Sequence, residues 1–356
     1  MTHQPLLPTA LDGVALPPNL PPLVITAFAR PDLLRQVLAG IKAQSLLPPK
    51  IIAFIDGPRH QRDQPLIQAC IQRLEEFTTV VPVEIVTREQ NLGCDRNVLQ
   101  AFTTVFATHE MLVYLEDDDR PNPYFYDRLC RLLVAYQPFS EVGSVSAYAT
   151  VPEELTEPIA TDFFVSRRFF SWGFGTWRDR WQHLDLLHHS GQYNPFGCFY
   201  QIPATAQTKR TLINQFWLEK NRKTDWVITF TLAAFYHQKI QIIPQVSFIC
   251  NIGFGHAQSE TYRGAEQAWV NARYQASHRP DRLPPSLNPL PSLQAPLSTV
   301  ALVQYLSEQE GFWLNGAALV YWLKRADSWR GHLRLVQLFI ARFPLLIRRW
   351  RSGLPT

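Results

Sequence analysis

Met111-Leu112-Val113-Tyr114-Leu115-Glu116-Asp117-Asp118-Asp119-Arg120-Pro121 is the stretch that decides how the rest of the chain is read. Five residues of strand composition run straight into four consecutive carboxylates, and a Pro closes the segment. The apolar run is expected to be a buried strand with the acids at its C-terminal end, where open α/β sheets bind ligands. Four adjacent like charges repel one another, so water or a cation has to compensate them. A solvated acidic turn and a divalent-metal site both meet that need. The place directly behind a buried strand, with similar strands upstream, favours the metal site.

Upstream, Leu23 to Phe28 (LVITAF) reads as a first buried strand, and Ala29-Arg30-Pro31-Asp32 turns into a helix. Pro31 suits the first helical turn, and Leu34, Val37, Leu38 and Ile41 share one face. Ile51 to Ile55 is a second strand that ends in Asp56-Gly57-Pro58, followed by a helix from about Pro65 to Phe77 and a third strand, Val83 to Val86. Asn91-Leu92-Gly93 is a turn, and the next helix carries Val98, Phe102, Val105 and Phe106 on one face. Strand and helix thus alternate four times, which predicts an α/β fold with a mostly parallel, Rossmann-like sheet between flanking helices. Neither GxGxxG after the first strand nor GxxxxGK[ST] occurs, so the usual dinucleotide and P-loop fingerprints are absent.

Downstream, Asn122 to Tyr136 reads as a helix and Ser144 to Tyr148 as a strand. Phe163 to Trp181 (FFVSRRFFSWGFGTWRDRW) mixes aromatics, glycines and arginines without a period and is expected to be an irregular binding loop, with core filling as the alternative. Asp225-Trp226 opens an apolar helix from Val227 to Tyr236, where Asp225 also suits an N-cap. Gln241 to Ile249 is a late strand or strand pair, followed by Asn251-Ile252-Gly253-Phe254-Gly255-His256.

At 356 residues and 46% hydrophobic content the chain can bury a full core and hold two domains. A net charge of +4 without a basic patch before the last thirty positions argues against a nucleic-acid partner. Five widely spaced cysteines without a CxxC pair fit neither a disulfide framework nor a structural zinc site and point to a reducing, cytoplasmic compartment. The first twenty-two residues lack the basic start and long apolar run of a signal peptide, and their prolines suggest an extended arm. No uninterrupted apolar run reaches the ~18 residues a spanning helix needs. Six prolines between Pro280 and Pro296 mark a linker, and helices are expected over Leu302 to Gln309, Phe312 to Lys324 and Trp329 to Trp350. Arg330, Arg334, Arg342, Arg348, Arg349 and Arg351 lie among bulky apolar residues there. Residues 327–356 therefore suit either peripheral contact with an anionic membrane at its inner face or packing on the catalytic domain. The resulting plan is an arm (1–21), a catalytic domain (22–260, halved near 120), a proline-rich linker (261–300) and a helical, basic C-terminal region (301–356).

The order of these signals resembles the nucleotide-sugar-dependent glycosyltransferases of the GT-A fold, nearest to bacterial family 2 enzymes. It is also distantly similar to the N-acetylglucosaminyltransferases that initiate complex N-glycan branching. The resemblance spans about 22–260 and implies that the Leu23 to Pro31 segment, with Thr26 and Arg30, and the turns at Asp56-Gly57 and Asn91-Leu92-Gly93 contact the nucleotide. It implies that Glu116-Asp117-Asp118 is the acidic metal motif, with Asp118 on Mn²⁺ or Mg²⁺ and Glu116 and Asp117 nearer sugar and ribose. Trp172-Gly173 is similar to a loop beside the donor sugar, Asp225 stands where the family places its catalytic base, and His256 is a candidate late metal ligand. Asp119 makes the metal register uncertain by one residue and has no role in this reading.

Glycosyl transfer needs charge relief on the leaving diphosphate and a base for the acceptor hydroxyl, set apart from the cation. Asp118 and Asp225, on separate elements, suit an inverting single displacement to a saccharide or lipid-linked acceptor in cell-surface polysaccharide or glycolipid synthesis. The alternatives are a non-catalytic carbohydrate- or nucleotide-binding protein and a sugar nucleotidyltransferase. The second would want a glycine-rich turn after the first strand, where Phe28-Ala29-Arg30-Pro31 stands.

Overall fold

The computed structural model describes residues 6–148, 160–184, 226–259, 264–289, 316–324 and 329–341 and the single positions 343, 347 and 351. The helix expected at Leu302 to Gln309 and the candidate base Asp225 lie outside them. Two compact units are present: Met1–Val151, Pro158–His183 and Ile240–Asn288 form one, and Pro152–Glu157, Leu184–Lys239 and Pro289–Thr356 the other. Gly264 to Asn288, within the stretch expected as a linker, is thus part of the first unit.

The first unit is built on an eight-stranded sheet ordered β3-β2-β1-β4-β8-β6-β9-β7. β1 (Leu23–Ala27), β2 (Ile51–Ile55), β3 (Val83–Thr87) and β4 (Met111–Glu116) are parallel neighbours. Between them run α1 (Pro31–Lys42), α2 (Gln64–Phe77) and α3 (Gly93–Phe106). Every residue of β1 and β2 is buried, which explains continuous apolar runs in place of alternation. Pro31 starts α1, and Leu33, Leu34, Val37, Leu38 and Ile41 form its buried face. Val98, Phe102, Val105 and Phe106 do the same for α3. Beyond β4 come α4 (Phe125–Tyr136), β6 (Val142–Ser146) and β9 (Ile240–Pro244), with β6 and β9 parallel.

The Phe163 to Trp181 segment differs from its expected form. It holds β7 (Phe163–Ser166), β8 (Phe174–Trp177) and α5 (Arg178–Leu184). β8 lies antiparallel between β4 and β6, and β7 antiparallel on β9, so the sheet is mixed. Both strands are buried throughout, which removes the alternation that would have marked them as strands. The aromatics fill core: Phe102 packs 4.9 Å from Tyr114, 5.8 Å from Phe174 and 4.9 Å from Trp181, ring centroid to centroid. A Cβ on Gly175 would stand 3.1 Å from Leu133, so the small residue lets α4 lie close on the sheet.

A second, two-stranded sheet pairs β5 (Asp119–Pro121) with β10 (Ile249–Asn251) antiparallel, setting Asp119 opposite Asn251. This pairing delivers the chain after Asn251 to the acidic end of β4. In the other unit, α6 (Trp226–Tyr236) and the helices Gly316–Leu323 and Trp329–Ala341 are described. Among the described residues no helix is long and apolar enough to cross a membrane.

The N-terminal arm is fastened, not loose. Leu11 donates its N–H to the Asp281 carbonyl, and Leu283 donates to that of Thr9, both at 2.9 Å. Asp12 accepts from Arg128 (2.8 Å) and from both terminal nitrogens of Arg279 (2.8 and 2.6 Å). The Arg279 hydrogen bonds, then those of Arg128, hold the Asp12 carboxyl down to about 2. A carboxylate depressed below its unfolded value of ~3.9 stabilises the fold above that pH and ceases to do so as pH falls through the folded value. The Tm difference between wild type and Asp12→Asn is therefore expected to be full above about pH 4 and to close towards pH 2. A difference independent of pH would contradict the fastening.

Candidate active site

Because β1, β2 and β4 are parallel and adjacent, their C-terminal ends open on one side, with Thr26 in register with Glu116. The cleft there is lined by Thr26, Ala27, Phe28, Arg30, Asp56, Arg59, Asn91, Gly93, Cys94, Asn97, Glu116, Asp117, Asp118, Gln258 and Ser259. Eight residues singled out from the sequence (Thr26, Arg30, Asp56, Asn91, Gly93, Glu116, Asp117 and Asp118) are thus brought together. Gly57, Trp172, Gly173 and His256 are not in that lining.

Asp56 faces inward upon the protein itself. Its Oδ1 accepts the N–H groups of Gly57 (2.9 Å) and Leu92 (2.8 Å); its Oδ2 accepts Gly93 N–H (2.9 Å) and Asn91 Nδ2 (3.0 Å). Two oxygens offer about four lone-pair sites, so this carboxylate is saturated. Burial raises its pKa, against which the three backbone N–H groups pull down. Asp56 therefore fixes the turn into α3, and Asn97 completes the corner through Phe54 O (3.2 Å) and Arg88 Nε (3.2 Å). Gly57 sits where a Cβ would meet the Gln90 backbone at 2.4 Å.

The acids at the end of β4 have three different environments. Asp117 accepts Phe28 N–H (3.3 Å) and Arg30 Nε (3.3 Å) at Oδ2, and a second Arg30 nitrogen at Oδ1. Arg30 Nη1 donates to Asp118 Oδ2 at 2.6 Å. The other Asp118 oxygen, Oδ1, is buried without a hydrogen-bond partner. Asp119, fully buried, accepts Glu116 N–H (3.3 Å) and Asn251 Nδ2 (3.2 Å), and so fastens β5 to β10. Burial raises the pKa of Asp118, offset in part by the Arg30 charge. Asp119 is raised well above the usual range by burial and then by the charges of Asp118 and Glu116.

Gly253 closes the other side. Its N–H donates to Asn251 Oδ1 (3.0 Å), Asn251 exchanges hydrogen bonds with Asn271 (3.1 and 2.8 Å), and Ile252 N–H reaches Asp118 O (2.8 Å). A Cβ on Gly253 would fall 1.9 Å from Asp118 Oδ2.

The remaining candidates stand elsewhere. His256 Nδ1 accepts from Gln258 N–H (3.1 Å), which leaves Nε2 to donate to Asp32 Oδ1 (3.2 Å). Among the described residues no three His, Cys, Asp or Glu side chains assemble as a metal-holding group, so His256 does not join Asp117 and Asp118 in one. Trp172 belongs to an aromatic cluster, 4.5 Å from Tyr148 and stacked with the half-exposed Trp269 at 6.3 Å. Gly173 has φ +63°, and a Cβ there would stand 2.5 Å from Ile249 and 2.8 Å from Phe125, so packing requires the small residue.

The family model for glycosyl transferase family 2 matches residues 23–197, the segment that carries β1 through β8 and all the strand ends just described. Residues 23–197, just under half of the chain, carry the pattern of glycosyl transferase family 2. No curated protein sequence matches it. Among solved structures, the chain is similar to S. aureus TarS: the 1–349 form is 11% identical at TM-score 0.43, covering 94% of this chain and 92% of that one. Against a longer TarS structure (12% identity, TM-score 0.37) it covers 90% of itself and spans only 43% of that chain. A mannosyltransferase from Pyrobaculum calidifontis, solved with GDP-Man and Mn²⁺, is 14% identical at TM-score 0.35, with 66% and 73% covered. A UDP-glucose pyrophosphorylase complexed with UDP-glucose is 11% identical at TM-score 0.34, with 64% and 91% covered. At such scores these likenesses carry no argument about chemistry.

The donor set of the cleft suits a hard divalent ion: carboxylate oxygens, one of them, Asp118 Oδ1, buried and unpartnered. A cation that takes one or two carboxylates and completes its shell with phosphates and water requires no larger protein cage. Some residues in and beside the cleft had no signal in the sequence. Arg59 lies 4.6 Å over the Phe28 ring and donates to Gln258 (3.1 Å). Like Asn271, it is brought in from a region whose local pattern says only loop.

Proposed function

We propose that this glycosyltransferase moves a sugar from a nucleotide-sugar donor, bound at the ends of β1, β2 and β4, to a hydroxyl of a saccharide or lipid-linked acceptor. The observation that carries the reading is the buried, unpartnered Asp118 Oδ1 beside the Arg30 guanidinium in the cleft of a family 2-like domain. Asp118 would hold Mn²⁺ or Mg²⁺, which when bound relieves the charge that builds on the departing diphosphate. Arg30 adds fixed positive charge on the same side. Thr26 and the Asn91 to Gly93 turn line the nucleotide pocket, and Asp56 and Gly57 act by fixing that turn. Glu116 and Asp117 stand towards ribose and sugar. Asp225 takes the acceptor proton, and one displacement at the anomeric carbon inverts it.

A panel of nucleotide sugars tested by thermal shift checks this, because a ligand that binds only the native state raises Tm by mass action. One donor is expected to raise the Tm of the wild type with Mn²⁺ present, and to lose most of that shift on chelation or in Asp118→Ala. A shift equal in all three conditions would remove the metal from the reading.

Peripheral contact with an anionic membrane is proposed for residues 327–356. Trp329, Leu333 and Ile340 are exposed at 71%, 48% and 58%, and no Asp or Glu follows Asp327. Amphipathic basic helices bind anionic lipid by burying such apolar side chains. Flotation with phosphatidylserine liposomes should carry the full chain up and leave a chain ending at residue 326 behind; equal partition would refute the contact.

A further inference from the structure

Trp269 lies on the chain after β10, and 45% of it is exposed. Single exposed apolar residues are ordinary, but this one is stacked and fastened. Its indole is within 3° of parallel to that of Trp172, 6.3 Å between ring centroids. Trp172 in turn meets the half-buried Phe254 ring edge-on at 6.1 Å. Phe254 directly follows Gly253, the residue packed on the Asp118 carboxylate. On the donor reading above, on which this rests, we propose that Trp269 is the platform of an acceptor subsite. It stacks on a pyranose ring of a saccharide acceptor.

Trp172, expected beside the donor sugar, is buried, with Trp269 stacked on it and Tyr148 4.5 Å away. The aromatic surface open to a sugar is therefore that of Trp269. Neither tryptophan lines the nucleotide cleft, so a ring held on Trp269 is on the acceptor side of the donor. The segment that presents the indole is held in place. Tyr148 Oη donates to Val270 O (2.9 Å), Asn271 exchanges hydrogen bonds with Asn251 (3.1 and 2.8 Å), and Ser247 N–H donates to Arg273 O (3.1 Å). A group fixed before binding loses little freedom on binding. The face of an indole is negative, which suits a pyranose whose C–H bonds line one side of the ring. Its hydroxyls, pointing outward, find the exposed polar side chains of Glu266 and Gln267 next along the chain. A protein partner would want more: a stable interface buries about 800 Å² a side, against roughly 250 Å² at most for one aromatic side chain. Among the described residues of the first unit, Leu6 and Leu47 are the other large apolar side chains exposed to this degree.

The subsite is tested without turnover by saturation-transfer NMR on the full chain, alone and with saturating UDP or GDP. The probes are cellobiose, lactose, maltose and N,N′-diacetylchitobiose, with sorbitol as the polyol that has hydroxyls but no ring. At least one disaccharide is expected to take saturation at its ring C–H protons, and sorbitol none. Trp269→Ala and Trp269→Leu are expected to bind that disaccharide about tenfold more weakly, the order an aromatic stacking partner contributes. Trp269→Phe, which keeps an aromatic face, should retain most of the affinity. Wild-type affinity in Trp269→Ala overturns the subsite, and so does a Trp269→Ala chain that loses liposome flotation while keeping the disaccharide. A wild type that a nucleotide sugar stabilises, but that no disaccharide binds, overturns the subsite and leaves the donor reading standing. Disaccharide binding that depends on Trp269, in a chain that no nucleotide sugar stabilises, upholds the platform and overturns the donor reading.

Discussion

Gly253→Ala is expected to remove Mn²⁺-dependent donor binding and to lower sugar transfer by about 10²-fold, the order of loss produced by displacing a site group by ~1 Å. The added Cβ would lie 1.9 Å from Asp118 Oδ2, 2.7 Å from its Cγ and 2.9 Å from its Cβ. Turning the carboxylate clears the first clash but not the last, so Asp118 has to shift as a whole and break its 2.6 Å bond to Arg30. Overpacking of this kind also costs about 1–3 kcal/mol of stability. Gly13→Ala, where no atom stands within 4 Å of the new Cβ, is the control expected to change nothing. Wild-type Mn²⁺ dependence in Gly253→Ala would show that the Asp118 carboxylate is not the cation's anchor.

Asp225→Ala should cost about 10²–10⁴-fold in turnover, the usual worth of a positioned general base, while nucleotide affinity and the Mn²⁺ effect on it persist. The two carboxylates answer to opposite demands. On the proposed reading the cation's ligand has to be held by positive charge, and Arg30 lies 2.6 Å from Asp118. The base has to keep its proton affinity, which a cation alongside would lower. Loss of donor binding in Asp225→Ala, or unchanged turnover, would place the base elsewhere. Because a removed transition-state interaction lowers kcat and kcat/KM together, that pattern separates a lost base from a lost acceptor contact.

Much of the fold was legible in the chain. β1, β2 and β4 are buried on both faces and α1 to α3 on one, so their apolar runs and helical faces stand out locally, while β3 at the sheet edge is partly exposed. The same rule hid β7 and β8: a short, wholly buried strand full of aromatics, interrupted by glycines, carries no period to read. β5 was hidden differently. Asp119, Arg120 and Pro121 have poor strand propensity, and they form a strand only because β10 pairs with them.

The candidate site divides along the same line. The order of the strand ends and the acids at Glu116 to Asp119 were determined by the sequence alone, because a strand and the turn that follows it are contiguous. Which acid has which part was decided by tertiary contacts between residues far apart in the chain. Asp117 is held by Phe28 and Arg30, and Asp119 is turned away to Asn251. Asp56, expected at the nucleotide, is saturated by the turn at Asn91 to Gly93. Asp118 alone among these acids keeps an open, buried oxygen, Oδ1, because Arg30 and Gly253 both crowd Oδ2. Composition can announce four adjacent charges, but only packing decides which of them is left without a partner, since hydrogen bonds and burial are set by neighbours the local sequence does not contain.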